Sequence, residues 1–99
     1  MDDFIYEDFE WSIEKARHNL REHGVSFHEA ATVFEDPLFV IYRSDEHSVD
    51  EDRYVIIGTS EDGRLLAVAF IERKRIRIIS ARKLTRKERR SYENQTQEF

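Results

Sequence analysis

Apolar positions in the first third of the chain recur at helical spacing, and from Pro37 onward they alternate in strand fashion. Ser12 has the chemistry of a helix N-cap, with Glu14 in the first turn, Ile13, Ala16 and Leu20 at helical spacing and Gly24 as a stop. A helix is predicted over residues 13 to 23. Ser26-Phe-His-Glu29 is a capping box. Val25 and Ala30 can close a hydrophobic staple, and Phe27, Ala30, Ala31 and Phe34 share one apolar face. This second helix ends before Asp36-Pro37, because proline disfavours helical backbone in the residue ahead of it. Ahead of both helices, residues 4 to 9 (Phe-Ile-Tyr-Glu-Asp-Phe) make a short first strand.

Beyond the proline, residues 38 to 42 read as a strand and residues 43 to 52 as a polar loop. Strands over 54 to 59 and 65 to 72 flank Ser60-Glu-Asp-Gly63, a hairpin connection with glycine where the backbone needs positive φ. A last strand over 75 to 82 follows a tight Arg73-Lys74 link, and Thr85-Arg-Lys-Glu88 is a second capping box opening a charged helix that runs to about Tyr92 or beyond. The order predicts an α+β domain spanning residues 1 to 99. Two N-terminal helices pack on one face of an antiparallel sheet of four to five strands, a helix closes the chain, and the other sheet face is free to form a site. In the last strand, strict alternation points Ile76, Ile78 and Ser80 one way and Arg75, Arg77 and Ile79 the other. Arg77 therefore faces away from the helix-covered core.

Composition narrows the function classes. At 99 residues the chain is one small domain, for which a partner or self-association can add stability, and its 12% aromatic content argues against disorder. The absence of cysteine excludes a disulfide framework, a thiolate metal site and a cysteine nucleophile. An acidic start without an apolar stretch, and no apolar run of bilayer length, predict a cytoplasmic protein without membrane association. Charge is split. Residues 1 to 63 hold 5 Lys and Arg against 17 Asp and Glu, whereas residues 64 to 90 hold 11 against 2. A basic C-terminal third can bind a polyanion, or it can be neutralised within the fold by the acidic part.

No glycine-rich phosphate loop or G-x-S-x-G motif is present. His18 and His23 lie five apart and His28 and His47 are isolated, so neither a metal nor a cofactor is expected. What remains is arginine: Arg64, the run from Arg73 to Arg77, and Arg82 beside Lys83. Guanidinium groups on a rigid sheet suit RNA cleavage by the 2′-hydroxyl, because planar forks bind the dianionic pentavalent phosphate at two points. That reaction also needs a base and an acid, for which Glu72, His47 and Lys15 are the candidates by type. Each has an ordinary alternative: Glu72 can simply pair with a neighbouring arginine, and His47 sits in a loop rich in other polar groups.

Several segments together resemble the BrnT family of bacterial type II toxins. They are Phe9-Glu-Trp11, Lys15-Ala-Arg-His-Asn-Leu-Arg-Glu-His-Gly-Val-Ser-Phe27, Glu29-Ala-Ala-Thr-Val-Phe-Glu-Asp-Pro37, His47 and Glu51-Asp-Arg53. Ile57-Gly58, Gly63-Arg-Leu-Leu66, Ile76-Arg-Ile-Ile-Ser-Ala-Arg-Lys83 and Arg86-Lys-Glu-Arg-Arg-Ser-Tyr-Glu93 continue the match in order along nearly the whole chain. The resemblance implies a RelE-like fold and a metal-independent endoribonuclease that arrests translation. It also implies neutralisation by a BrnA-type ribbon-helix-helix antitoxin, through which alone the complex reaches operator DNA. Carried over by position, His47, Arg53, Glu72, Arg77 and Arg82 are the catalytic candidates, with Lys15, His23, Arg64 and Lys83 as substrate contacts. In chemical terms Arg77 and Arg82 would bind phosphate, Arg53 would orient substrate, and Glu72 or His47 would handle protons. Two departures stand out: the link after Glu72 lacks a Gly-Asp type turn, and the net charge is −5. They leave open a second reading, an inactive module acting through antitoxin binding and operon regulation.

Overall fold

The computed structural model describes residues 2–44 and 52–96. Its elements are β1 (Asp3–Tyr6), β2 (Phe9–Ser12), α1 (Ile13–His23), α2 (Phe27–Thr32), a 3₁₀ turn (Val33–Glu35), β3 (Val40–Ser44), β4 (Arg53–Thr59), β5 (Leu65–Glu72), β6 (Ile76–Lys83) and α3 (Arg86–Thr96).

The helix ends follow the local signals. The Lys15 amide donates to Ser12 Oγ at 3.2 Å, and Gly24 closes α1 at φ 69°, donating its N–H to the Leu20 carbonyl. A Cβ would disfavour that left-handed conformation. At α3 both arms of the capping box form: Glu88 N donates to Thr85 Oγ1 at 3.1 Å, and Thr85 N donates to Glu88 Oε1 at 2.9 Å. At α2 only one arm forms. Ser26 Oγ accepts from the Glu29 amide, while the Glu29 carboxylate turns away to Ser60 and Arg64.

The sheet corrects the expectation of four to five antiparallel strands. It has six, in the order β1-β2-β6-β5-β4-β3. It is mixed, because β2 runs parallel to β6 while every other pairing is antiparallel. The single strand expected over residues 4 to 9 is a hairpin that turns at Glu7 and Asp8 and pairs Asp3 with Ser12 and Tyr6 with Phe9. Glu7 occupies the left-handed region at φ 57° without being glycine or asparagine, which is why no turn signal marks it. Smaller differences follow: β3 starts at Val40 rather than residue 38, and the β5–β6 link takes three residues, with Glu72 opposite Ile76.

A β-bulge changes the phase of β6. Ala69 pairs with Ser80 but Phe70 pairs with Ile78, so Ile79 is an extra residue in the ladder. Ile76 and Ile78 face the core as expected. Beyond the bulge the alternation inverts, so fully buried Ala81 turns to the core and Ser80 does not.

Core packing runs along an aromatic chain. Tyr54 stacks on Phe70 at 5.5 Å between ring centroids, Phe70 meets Phe34 at 5.1 Å, and Phe34 meets Phe9 at 5.2 Å. A second cluster centres on Trp11, which contacts Phe4, Phe27 and His28. His28 is thereby accounted for as a ring partner. At Gly58 a Cβ would stand 3.0 Å from Asp36 Oδ2, so glycine lets the 3₁₀ turn approach β4.

The outer edge of β6 poses a hydrogen-bonding problem. Its parallel pairing with β2 covers only Phe9 with Ile76 and Glu10 with Arg77, because the chain enters α1 at Ile13. Asn19, buried on α1, completes that edge: its Oδ1 accepts from Ala81 N at 3.0 Å, and its Nδ2 donates to the Ala81 and Val25 carbonyls at 2.8 and 3.0 Å. Replacing Asn19 with Ala leaves buried backbone groups unmet and should lower stability by about 2–4 kcal/mol; the urea unfolding midpoint checks this, and an unchanged midpoint would contradict it.

Candidate active site

The alternation of β4 and β6 across β5 brings three of the sequence-derived arginines to the face opposite the core. Arg53 lies across from Ile71, and Ile71 lies across from Arg77, placing both arginines in one cross-strand row. At ordinary strand spacing their Cα atoms are about 10 Å apart. Arg82 joins them only because of the bulge. Five residues after Arg77, an undisturbed strand would have sent it to the opposite face; instead it pairs with Ala67, on the same side as Ile71.

The three differ in what they touch. Arg77 donates from Nη1 to Glu10 Oε2 at 2.9 Å, and from Nη1 and Nη2 to the two Asp3 carboxylate oxygens at 3.0 and 3.2 Å. The two-point contact with Arg77 holds the Asp3 carboxyl below its ordinary pKa, and the same hydrogen bonds raise that of Arg77. Arg82 grips Glu88 bidentately at 2.8 and 2.9 Å and donates to the Lys83 carbonyl at 3.2 Å. Arg53 is half-buried, and its Nε has no hydrogen-bond partner among the described residues.

Beside Arg77 the surface is concave. A cleft of about 1100 Å³ is lined by α1, by Asp2 and Asp3, and by Arg77, Ile79 and Ser80 of β6. Lys15 and His23 line it, as does His18, which sequence reasoning had set aside. The helical spacing of Lys15 and His18 on α1 could have flagged their shared face, but only the sheet shows that this face meets Arg77.

Other expected site residues fall elsewhere. Glu72 pairs with Ile76, whose side chain faces the core, so Glu72 points away from the Arg77 face, at the exposed end of β5. Arg64 acts as a strut, donating from Nε to Glu29 Oε2 at 2.9 Å and from Nη2 to the Gly24 carbonyl at 2.9 Å. Glu29 also accepts from Ser60 Oγ at 2.7 Å and is held below the usual carboxylate range by Arg64 first, with Ser60 adding to the effect. Lys83 is exposed at the end of β6. His47 lies outside the described residues. Among the described residues no three His, Asp or Glu side chains group as metal ligands, and no helix is long and apolar enough to cross a membrane.

Comparison with known proteins adds to this geometry. The profile of a family described as the ribonuclease toxin BrnT of type II toxin-antitoxin systems matches residues 11–88. The chain belongs to the BrnT family. It is thus a member of a family of ribonuclease toxins whose type II systems pair toxin with antitoxin. Among solved structures, the Brucella abortus ribonuclease toxin BrnT matches with a TM-score of 0.60 at 20% identity, covering 77% of this chain and 94% of that one. Likeness at that identity speaks to the fold. No curated protein sequence matches the chain. The BrnT profile takes in Arg53, Arg77, Arg82 and α1, but it begins at Trp11 and so leaves out β1 with Asp3, and Glu10.

The Arg82–Glu88 contact sets a pH dependence. Hydrogen bonds from Arg82 and then the Thr85 backbone depress the Glu88 pKa from 4.5 to about 2. A carboxylate whose pKa is lower in the folded state stabilises it above the unfolded value and loses that contribution as pH falls. The attachment of α3 should therefore weaken between pH 4.5 and about 2. Amide exchange of α3 followed across that range checks this, and Glu88→Gln should remove most of the pH response.

Proposed function

We propose that this BrnT family member is a metal-independent endoribonuclease that cleaves RNA through its 2′-hydroxyl and so inhibits translation in the cytoplasm. The observation that carries the reading is Arg77: a half-buried guanidinium on a central strand, opening onto a cleft lined by the cationic side chains of α1. In the reaction the 2′-oxygen attacks the adjacent phosphorus and gives its proton to a base. The 5′-oxygen departs with a proton from an acid, leaving a 2′,3′-cyclic phosphate and a 5′-hydroxyl. Arg77 binds the non-bridging oxygens, whose charge grows in the transition state, and a fork fixed by the sheet needs little reorganisation to do so. Arg53, in the same cross-strand row, orients the neighbouring nucleotide, and Arg82 adds positive potential from opposite Ala67, two same-face positions further along the ladder. Lys15 and His23 contact the substrate backbone from α1. Proton transfer falls to His47, six residues before Arg53 in the sequence, because Glu72 points away from the Arg77 face.

A BrnA-type ribbon-helix-helix antitoxin neutralises the enzyme and alone carries the complex to operator DNA. A second reading, a catalytically inactive module acting through antitoxin binding and operon regulation, is favoured by one observation: carboxylates already occupy the Arg77 fork. The test is incubation of end-labelled RNA with the protein in EDTA. Fragments ending in 2′,3′-cyclic phosphate are expected, and Arg77→Ala should slow their formation by about 10²–10³-fold while leaving the circular dichroism spectrum unchanged. Intact RNA would favour the inactive module instead.

A further inference from the structure

We propose that β1 blocks the phosphate site in cis: Asp3 occupies the position of the substrate phosphate on Arg77, while Glu10 holds the guanidinium in place. The inference rests on reading Arg77 as the phosphate ligand.

The two carboxylates contact Arg77 in different ways. Glu10 sits beside it in the parallel β2–β6 register, is 19% exposed, and touches Nη1 only. Asp3 meets the guanidinium with both oxygens, one on Nη1 and one on Nη2. That is the two-point geometry by which a fork recognises the planar edge of a carboxylate or two oxygens of a phosphate. Asp3 is also 52% exposed against 20% for Arg77, so the occupant lies on the solvent side of the fork, where a substrate would arrive. Together with Asp2 it forms the acidic rim of the cleft that Lys15 and His23 line.

The blocker is an exposed side chain on an anchored strand. β1 is an edge strand paired with β2, the Ile13 amide donates to the Asp2 carbonyl at 3.0 Å, and the Phe4 and Tyr6 rings pack on Trp11 and His28; Asp3 alternates to the other side of the strand and can leave Arg77 while β1 stays in place. β1 also lies outside residues 11–88, the segment that the family profile matches. Exposed ion pairs are weak and salt-sensitive, so a polyanion can displace Asp3 without unfolding the sheet. The contact restrains RNA binding most at low salt and low substrate concentration, and less as either rises. Arg77 holds Asp3 ionised below the usual carboxylate range, so the restraint operates throughout the neutral range.

The experiment measures binding of the full chain to a fluorescein-labelled RNA oligomer carrying 2′-O-methyl groups, which cannot be cleaved, beside KM and kcat on unmodified RNA. Asp3→Asn should bind about 3- to 10-fold tighter at low salt, with KM falling in step and kcat held. Its advantage should shrink as salt rises. Glu10→Gln should gain no affinity and should lose kcat, since it loosens the guanidinium. Unchanged or weaker binding by Asp3→Asn overturns the proposal, as does a gain that persists in the Asp3→Asn/Arg77→Ala double variant, which would mark a general charge effect. If Arg77→Ala alone cleaves like the unmodified protein, the phosphate assignment fails, a result separable from failure of the blocker.

Discussion

Strand β6 carries more hydrogen-bonding obligation than any single neighbour can meet. One edge is satisfied by β5 along its length; the other is covered by β2 for two residues and then by the side chain of Asn19. A buried amide or carbonyl left unpaired costs roughly 1–3 kcal/mol, so the placing of α1 against β6 follows from this need as much as from apolar burial. Because α1 runs beside the edge of β6, its outward side chains and Arg77 share a cleft. The fold and the candidate site thus depend on one amide side chain, which itself stands in the wall of the cleft.

The bulge at Ile79 has a comparable reach. It costs one irregular ladder step and turns Arg82 to the side of the sheet that holds Arg77 and Arg53. Three cations on one surface repel one another, and the chain answers with carboxylates: Asp3 and Glu10 at Arg77, Glu88 at Arg82. Their effect depends on what else holds the carboxylate. Glu88 is also locked in the Thr85 capping box and fastens α3 to β6, whereas Asp3 has the Arg77 contact alone among its side-chain hydrogen bonds in the described residues, an exposed pairing weak enough to be exchanged for another anion.

This arrangement also answers the question raised by the uneven charge. Acidic and basic parts of the sequence do neutralise each other within the fold, through Asp3 and Glu10 with Arg77 and through Glu29 with Arg64. The two pairings differ in kind. Glu29 is 8% exposed and also bound to Ser60, a contact that ties α2 to the β4–β5 turn. Asp3 lies at the mouth of a cleft. The same electrostatic attraction serves architecture in one place and fills a guanidinium fork at a cleft in the other.

Features decided within a few residues were legible in the sequence. The caps at Ser12, Ser26 and Thr85, the stop at Gly24, the full length of α1 and β5, and the outward direction of Arg77 all rest on interactions between near neighbours or on a period of two. Family membership was legible too, because it resides in ordered residue identities. Features that pair distant segments were not. The hairpin at Glu7 lacks a glycine signal, the parallel β2–β6 ladder joins residues 67 apart in sequence at Glu10 and Arg77, and Glu29 serves a distant arginine rather than its own helix cap. Periodicity predicts direction only while the ladder is unbroken. The bulge breaks it, so which arginines share a surface, and that Glu72 does not join them, was settled by register, a property that no single strand possesses alone.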